Sequence, residues 1–172
     1  MTIFACNEKY SEITVKKMEY REHSAAMVPG GHSLGGAMAA EFVKRHPDLV
    51  RGEDTPAPGS KVHTSEAGRL EGLVLLASYP ARSTDLSALP LHAVSIYGSE
   101  DGVASTVFEE SLRRLPPDTR LVRLEGANHA QFGNYGPQKG DGTATIERAQ
   151  QQALTAKAVL ELAARVRQGQ PW

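Results

Sequence analysis

The sequence predicts an α/β domain with a mainly parallel sheet and helices on both faces. Three observations carry that expectation. Residues 72–78 and 91–97 are short, continuous apolar runs, the pattern of strands buried on both sides. Segments with apolar residues at helical spacing precede and follow them. Gly, Pro and polar clusters separate the two kinds of segment, so strands and helices alternate, as in βα units.

Each element follows from local chemistry. A short apolar stretch, residues 25–28, precedes a Gly-rich turn. Leu34, Met38 and Phe42 then recur at helical spacing with Ala39 and Val43 beside them, until His46-Pro47 closes the pattern. Residues 51–69, rich in Gly, Pro, Ser, Thr and charge, read as a surface loop. The run 72–78 ends at Tyr79-Pro80, and the run 91–97 ends at Gly98. Val107, Phe108, Leu112 and Leu115 suit a helix over residues 105–115, stopped by Pro116-Pro117. Residues 120–125 alternate in polarity and lead into Gly126, a third strand. From about Thr145 to Val166, Leu154, Ala158, Leu162 and Val166 recur every four residues, with Val159 and Ala163 adjacent, which predicts a long amphipathic C-terminal helix. With 172 residues, the chain is expected to form one domain, residues 1–27 being atypical of it.

Composition excludes several function classes. The charges nearly cancel, to a formal net −1, so no basic footprint points to nucleic acid. The lone Cys6 has no internal disulfide partner, and no His/Cys cluster has metal-ligand spacing, so no metal is expected and a reducing compartment fits. No apolar signal core and no run of about 18 apolar residues occurs, which predicts a cytoplasmic chain without a membrane partner. Residues 30–36 do not fit G-x-G-x-x-G, and no Lys follows to make a phosphate-binding loop, so no nucleotide cofactor is expected.

What those residues do fit is G-x-S-x-G, at Gly31-His32-Ser33-Leu34-Gly35. Such an elbow holds a serine on a sharp strand-to-helix turn, where small neighbours let backbone and helix approach closely. It also aims the N–H of Leu34 at the place where an oxyanion would form. Taken alone, the motif is equally a glycine turn packing a helix on a sheet. Serine is a weak nucleophile unless a histidine takes its proton, and that histidine needs an acid to set its tautomer. In elbow enzymes the chain order is serine, acid, histidine. Asp101 follows the strand ending near Tyr97, and His129 follows the strand ending near Glu125, so order and placement agree. Asp85 is the runner-up acid, and Glu100 reads as solvated. His23, His46, His63 and His92 read as solvated or locally bonded residues, whereas His32 occupies a variable position of the elbow.

Four segments carry a family resemblance: residues 30–37, 72–80, 96–102 and 125–136. They resemble the α/β-hydrolase fold-5 group, relatives of the dienelactone hydrolase-like serine hydrolases. The resemblance implies an α/β-hydrolase fold, Ser33, Asp101 and His129 as triad, and an ester-type substrate. Dienelactone hydrolases proper carry cysteine at the elbow, so lactone specificity does not transfer. Members usually place several strands before the elbow, but only 32 residues precede Ser33, so an N-terminally truncated fold is expected. The early loop that supplies a second oxyanion donor then has no counterpart, and the sheet is expected to lack flanking strands. Pro29 also lacks the N–H of a central strand residue.

The function expected from the residues together with the resemblance is hydrolysis of small carboxylic esters or related acyl substrates through a Ser-His-Asp triad. His32 and Phe132 are candidate substrate-binding residues. Only about ten residues join Pro80 to the next strand, too few for a large cap, so an open site is expected. The alternative is a catalytically impaired binding module that self-associates, for instance as a homodimer through a bare strand edge.

Overall fold

A computed structural model describes residues 2–4, 26–51, 68–103, 105–134 and 136–172. Among the described residues, five strands form one sheet: β1 (Thr2–Phe4), β2 (Met27–His32), β3 (Gly72–Leu76), β4 (His92–Gly98) and β5 (Thr119–Leu124). Their spatial order is β1-β2-β3-β4-β5 and every pairing is parallel. The described residues also form the α-helices α1 (Leu34–Arg45), α2 (Pro47–Arg51), α3 (Ser105–Ser111) and α4 (Arg148–Gln168).

Alternation along the strands divides the core in two. Leu73 and Leu75 of β3 and Ala93 of β4 face one layer, with Ala40 and Val43 of α1 and Leu49 and Val50 of α2. Val74 of β3 and Val94 and Ile96 of β4 face the other, with Ala158, Leu162 and Val166 of α4. Helices therefore cover both faces, which is why β3 and β4 carry no polar face and read as continuous apolar runs. The β5 strand ends the strand order, and Arg120, Leu121 and Arg123 are exposed along it.

Several expectations are corrected by packing. The Leu34, Met38 and Phe42 stripe that reveals α1 is its exposed side; Gly35, Gly36, Ala40 and Val43 are the residues turned to the sheet. Small residues win that face because they let the helix axis come close to β2. In α4, the stripe Ala158, Leu162, Ala163 and Val166 is buried as expected, but Leu154 is partly exposed and the fully buried residue one turn earlier is Gln151. The helix starts at Arg148 rather than near Thr145 and ends at Gly169, which adopts the left-handed conformation. The helix expected over residues 105–115 is α3 followed by a tighter turn, Leu112–Arg114. The expected loop at 51–69 falls largely outside the described residues, and the short α2, begun by Pro47 at its first turn, precedes it. The expected missing flank is also partly filled, because Thr2–Phe4 pairs with Met27, Val28 and Pro29. Pro29 is accommodated there, while the regular β2–β3 ladder begins one residue later at Gly30.

A fully parallel sheet places the C-terminal ends of its strands along one edge of the molecule. The residues after β2, β4 and β5 include Ser33, Asp101 and His129, so the topology brings the sequence candidates to a common end, where open α/β sheets bind ligands.

Candidate active site

Ser33 occupies the single residue between β2 and α1, with φ 54° and ψ −124°. A side chain in that region is strained, typically by about 1–3 kcal/mol, and surrounding contacts must hold it there. The Ser33 N–H donates to Leu76 O at 3.0 Å, and its carbonyl accepts from Gly36 N–H at 3.1 Å and from Ser78 Oγ at 2.6 Å. Glycine is required beside it: a Cβ on Gly31 would lie 2.5 Å from the Gly35 carbonyl carbon, and one on Gly36 would lie 2.5 Å from Ser78 Oγ. Leu34 opens α1 with its side chain 61% exposed, so what it brings to the site is its backbone N–H, one of the orphan donors of a helix start.

Asp101 follows β4 in a tight turn. Its Oδ1 accepts the Val103 N–H at 2.9 Å, and its Oδ2 lies 2.9 Å from His129 Nδ1. Both side chains are buried, His129 almost completely. The contact directs the proton of a neutral imidazole to Nδ1 and leaves Nε2 as its base nitrogen. Nε2 is itself buried and makes no hydrogen bond among the described residues, so Asp101 and His129 are joined while Ser33 Oγ is not bonded to Nε2. Catalytic hydrogen bonds are often long before substrate binds and tighten only in the complex.

His32 bridges the two halves of the site. Its ring centroid is 4.5 Å from that of His129 and 6.0 Å from that of Phe132, with the Phe132 ring nearly parallel. Burial, followed by the charge His129 can carry, lowers the His32 pKa to about 4, so this imidazole stays neutral near pH 7. Phe132 packs partly against the α4-side core.

The rejected candidates are occupied elsewhere. Asp85 is exposed and accepts the N–H of Ser87, and Glu100 is exposed and bonded by Ser99 Oγ. His46 ends α1 against the Phe42 ring, and His92 bonds Asp118. His23 and His63 lie outside the described residues. Among the described residues no group of three His, Cys, Asp or Glu side chains could hold a metal, and no helix is long and apolar enough to cross a membrane.

Motif reading passes over three residues that hold this site: Ser78 on the Ser33 carbonyl, and Asp141 and Gln151 on the backbone around His129. Ser78 and Asp141 carry no sequence signal. Gln151 does, since a polar residue seven positions before Ala158 shares the buried face of α4.

Comparisons agree with this architecture. No curated protein matches the chain. A predicted CIB-like hydrolase from Thermoplasma acidophilum aligns with a TM-score of 0.51 and 17% identity over 81% of this chain and 51% of its own. A dienelactone hydrolase-like promiscuous phosphotriesterase from metagenomic libraries gives a TM-score of 0.48 at 16% identity, over 78% and 52%. Esterase 2 of the planctomycete Thermogutta terrifontis gives 0.36 at 16%, over 78% and 54%. The chain thus spans about half the length of these solved structures, and the Thermoplasma likeness is one of fold alone. The model of the alpha/beta hydrolase family matches residues 57–153, a span that contains Asp101 and His129 and begins after the elbow. That match covers more than half of the sequence, and the chain belongs to the alpha/beta hydrolase family.

Proposed function

We propose that the chain is a serine hydrolase that cleaves small carboxylic esters or related acyl substrates through an acyl-enzyme. The observation that carries this reading is the buried 2.9 Å contact between Asp101 and His129 at the same sheet end as the strained Ser33 elbow. Ser33 Oγ attacks the substrate carbonyl carbon as His129 Nε2 takes its proton. The tetrahedral oxyanion is met by the Leu34 N–H at the start of α1. As the intermediate collapses, the bond to the leaving oxygen breaks and His129 returns the proton to it. Water then attacks the acyl carbon with His129 again as base, releasing the acid and restoring Ser33. Asp101 stabilises the imidazolium that forms in both steps. His32, neutral beside His129, and Phe132 would line the acyl or alcohol side of the pocket.

The test is intact-mass spectrometry after exposure to a fluorophosphonate, with Ser33→Ala as control. A single adduct on the wild type that the variant lacks is the expected result, and an ester screen follows from it. A folded wild-type protein that takes up no adduct would overturn the reading and leave the self-associating binding module in its place.

A further inference from the structure

The turn that carries His129 has one local cap, Asn128 Oδ1 accepting the Gln131 N–H at 3.1 Å, and is otherwise capped from outside itself. Ala130–Phe132 is a tight helical turn whose first N–H groups have no partner within it. A turn of this kind is ordinarily capped by the side chain of the residue that precedes it. Here that residue is His129, whose imidazole is engaged with Asp101, and it makes no capping bond.

Asp141 supplies the cap from twelve residues downstream. Its Oδ1 accepts the His129 N–H at 3.0 Å and the Gly142 N–H at 2.9 Å, and its Oδ2 accepts the Ala130 N–H at 2.8 Å. The same short segment reaches the acid loop, because the Gly142 N–H also donates to Glu100 O at 3.1 Å. Asn128 Nδ2 donates to Gly142 O at 2.8 Å, and the Thr145 N–H to Gly126 O at 2.8 Å. From α4, the fully buried Gln151 takes both backbone groups of Asn128: its Oε1 accepts the N–H at 3.2 Å and its Nε2 donates to the carbonyl at 2.8 Å.

We propose that Asp141 is a positioning residue for the hydrolytic site: its carboxylate holds the His129 backbone and, through Gly142, ties it to the acid loop, so fixing the imidazole between Asp101 and Ser33. Gln151 is a second support, whose two bonds tie Asn128 to α4. A carboxylate suits the position because its two oxygens receive three N–H groups. An asparagine offers one acceptor oxygen, and its NH₂ would face an N–H donor. The part of this inference that concerns rate rests on the serine hydrolase reading; the part that concerns geometry does not.

The experiment compares wild type with Asp141→Asn by two readouts. The first is steady-state hydrolysis of a small activated ester together with the rate of fluorophosphonate labelling. Displacing a catalytic base by about 1 Å costs up to about 10²-fold, so kcat and the labelling rate are expected to fall by 10- to 100-fold while KM and the unfolding temperature stay near wild type. The second is the downfield proton resonance of the His129–Asp101 hydrogen bond, which needs no turnover and is expected to shift or broaden. A folded Asp141→Asn protein with wild-type kcat and an unchanged resonance would overturn the inference. If wild type takes no label, the hydrolase reading has failed, and the resonance alone decides the positioning role. Should Asp141→Asn fail to fold, Asp141→Ser keeps one acceptor oxygen without turning an NH₂ toward the N–H donors: a lower kcat at constant KM, or a moved resonance, supports the inference, and no change in either overturns it.

Discussion

At the elbow, the backbone around Ser33 is held by groups close in sequence or on the next strand: glycines within three residues, the first turn of α1, Leu76 and Ser78. At the histidine turn, the holding groups come from 12 to 28 residues away, as Asp141, Gln151 and Asp101 bond the backbone or ring of residues 128 and 129. The elbow adds to its bonds with Leu76 and Ser78 a steric exclusion, in which an added methyl group has no room. The histidine turn is a matter of hydrogen-bond satisfaction, in which each polar group needs a partner brought by the fold. A short motif can encode the first, but the second exists only once the sheet has assembled.

The largest effect expected from this contrast is on rate. Asp101→Asn leaves the shape of the acid turn nearly intact but donates to Nδ1 instead of accepting from it, which imposes the wrong tautomer. A loss of about 10⁴-fold in kcat with little change in unfolding temperature is expected from ester kinetics. Comparable rates in the two proteins would break the assignment of Asp101.

The elbow should respond in stability as well. Gly31→Ala places a methyl group against the Gly35 backbone, which has no rotamer to yield, so destabilisation toward the upper end of about 1–3 kcal/mol is expected from urea unfolding. A variant as stable as wild type would show that the elbow can relax, and the contrast with the histidine turn would weaken.

A pH effect joins the two regions at His32. Its folded pKa of about 4 lies below the ordinary value of 6.5, so between these values the unfolded chain takes up a proton that the folded chain refuses. Stability from this group is fully present above 6.5 and declines as the pH falls toward 4. His32→Gln is expected to flatten the stability profile across that window, measured by denaturant midpoints; an unchanged slope would mean that His32 is not the group responsible. The smallest effect is expected at Leu34→Ala, where the exposed side chain is lost and the backbone N–H is kept: stability should change by less than about 0.5 kcal/mol. A loss of activity there would assign the Leu34 side chain a role in substrate contact.

By itself, the sequence determined the alternation of strands and helices, because runs buried on both faces must be apolar throughout and helices must repeat near four residues. It also determined the glycine turn around Ser33 and the placement of Asp101 and His129 after later strands, since the steric need for glycine and the strand pattern leave local traces. The side of α1 that packs on the sheet was decided only by the fold: the bulky apolar stripe is outside because Gly35, Gly36 and Ala40 permit the closer approach. The tertiary structure likewise decided that Asp101 rather than Asp85 meets His129, that Gln151 is buried, and that Asp141 caps the histidine turn. A hydrogen-bond partner is chosen by distance in space, and separations of 12 to 28 residues along the chain carry no periodic signal from which that distance can be read.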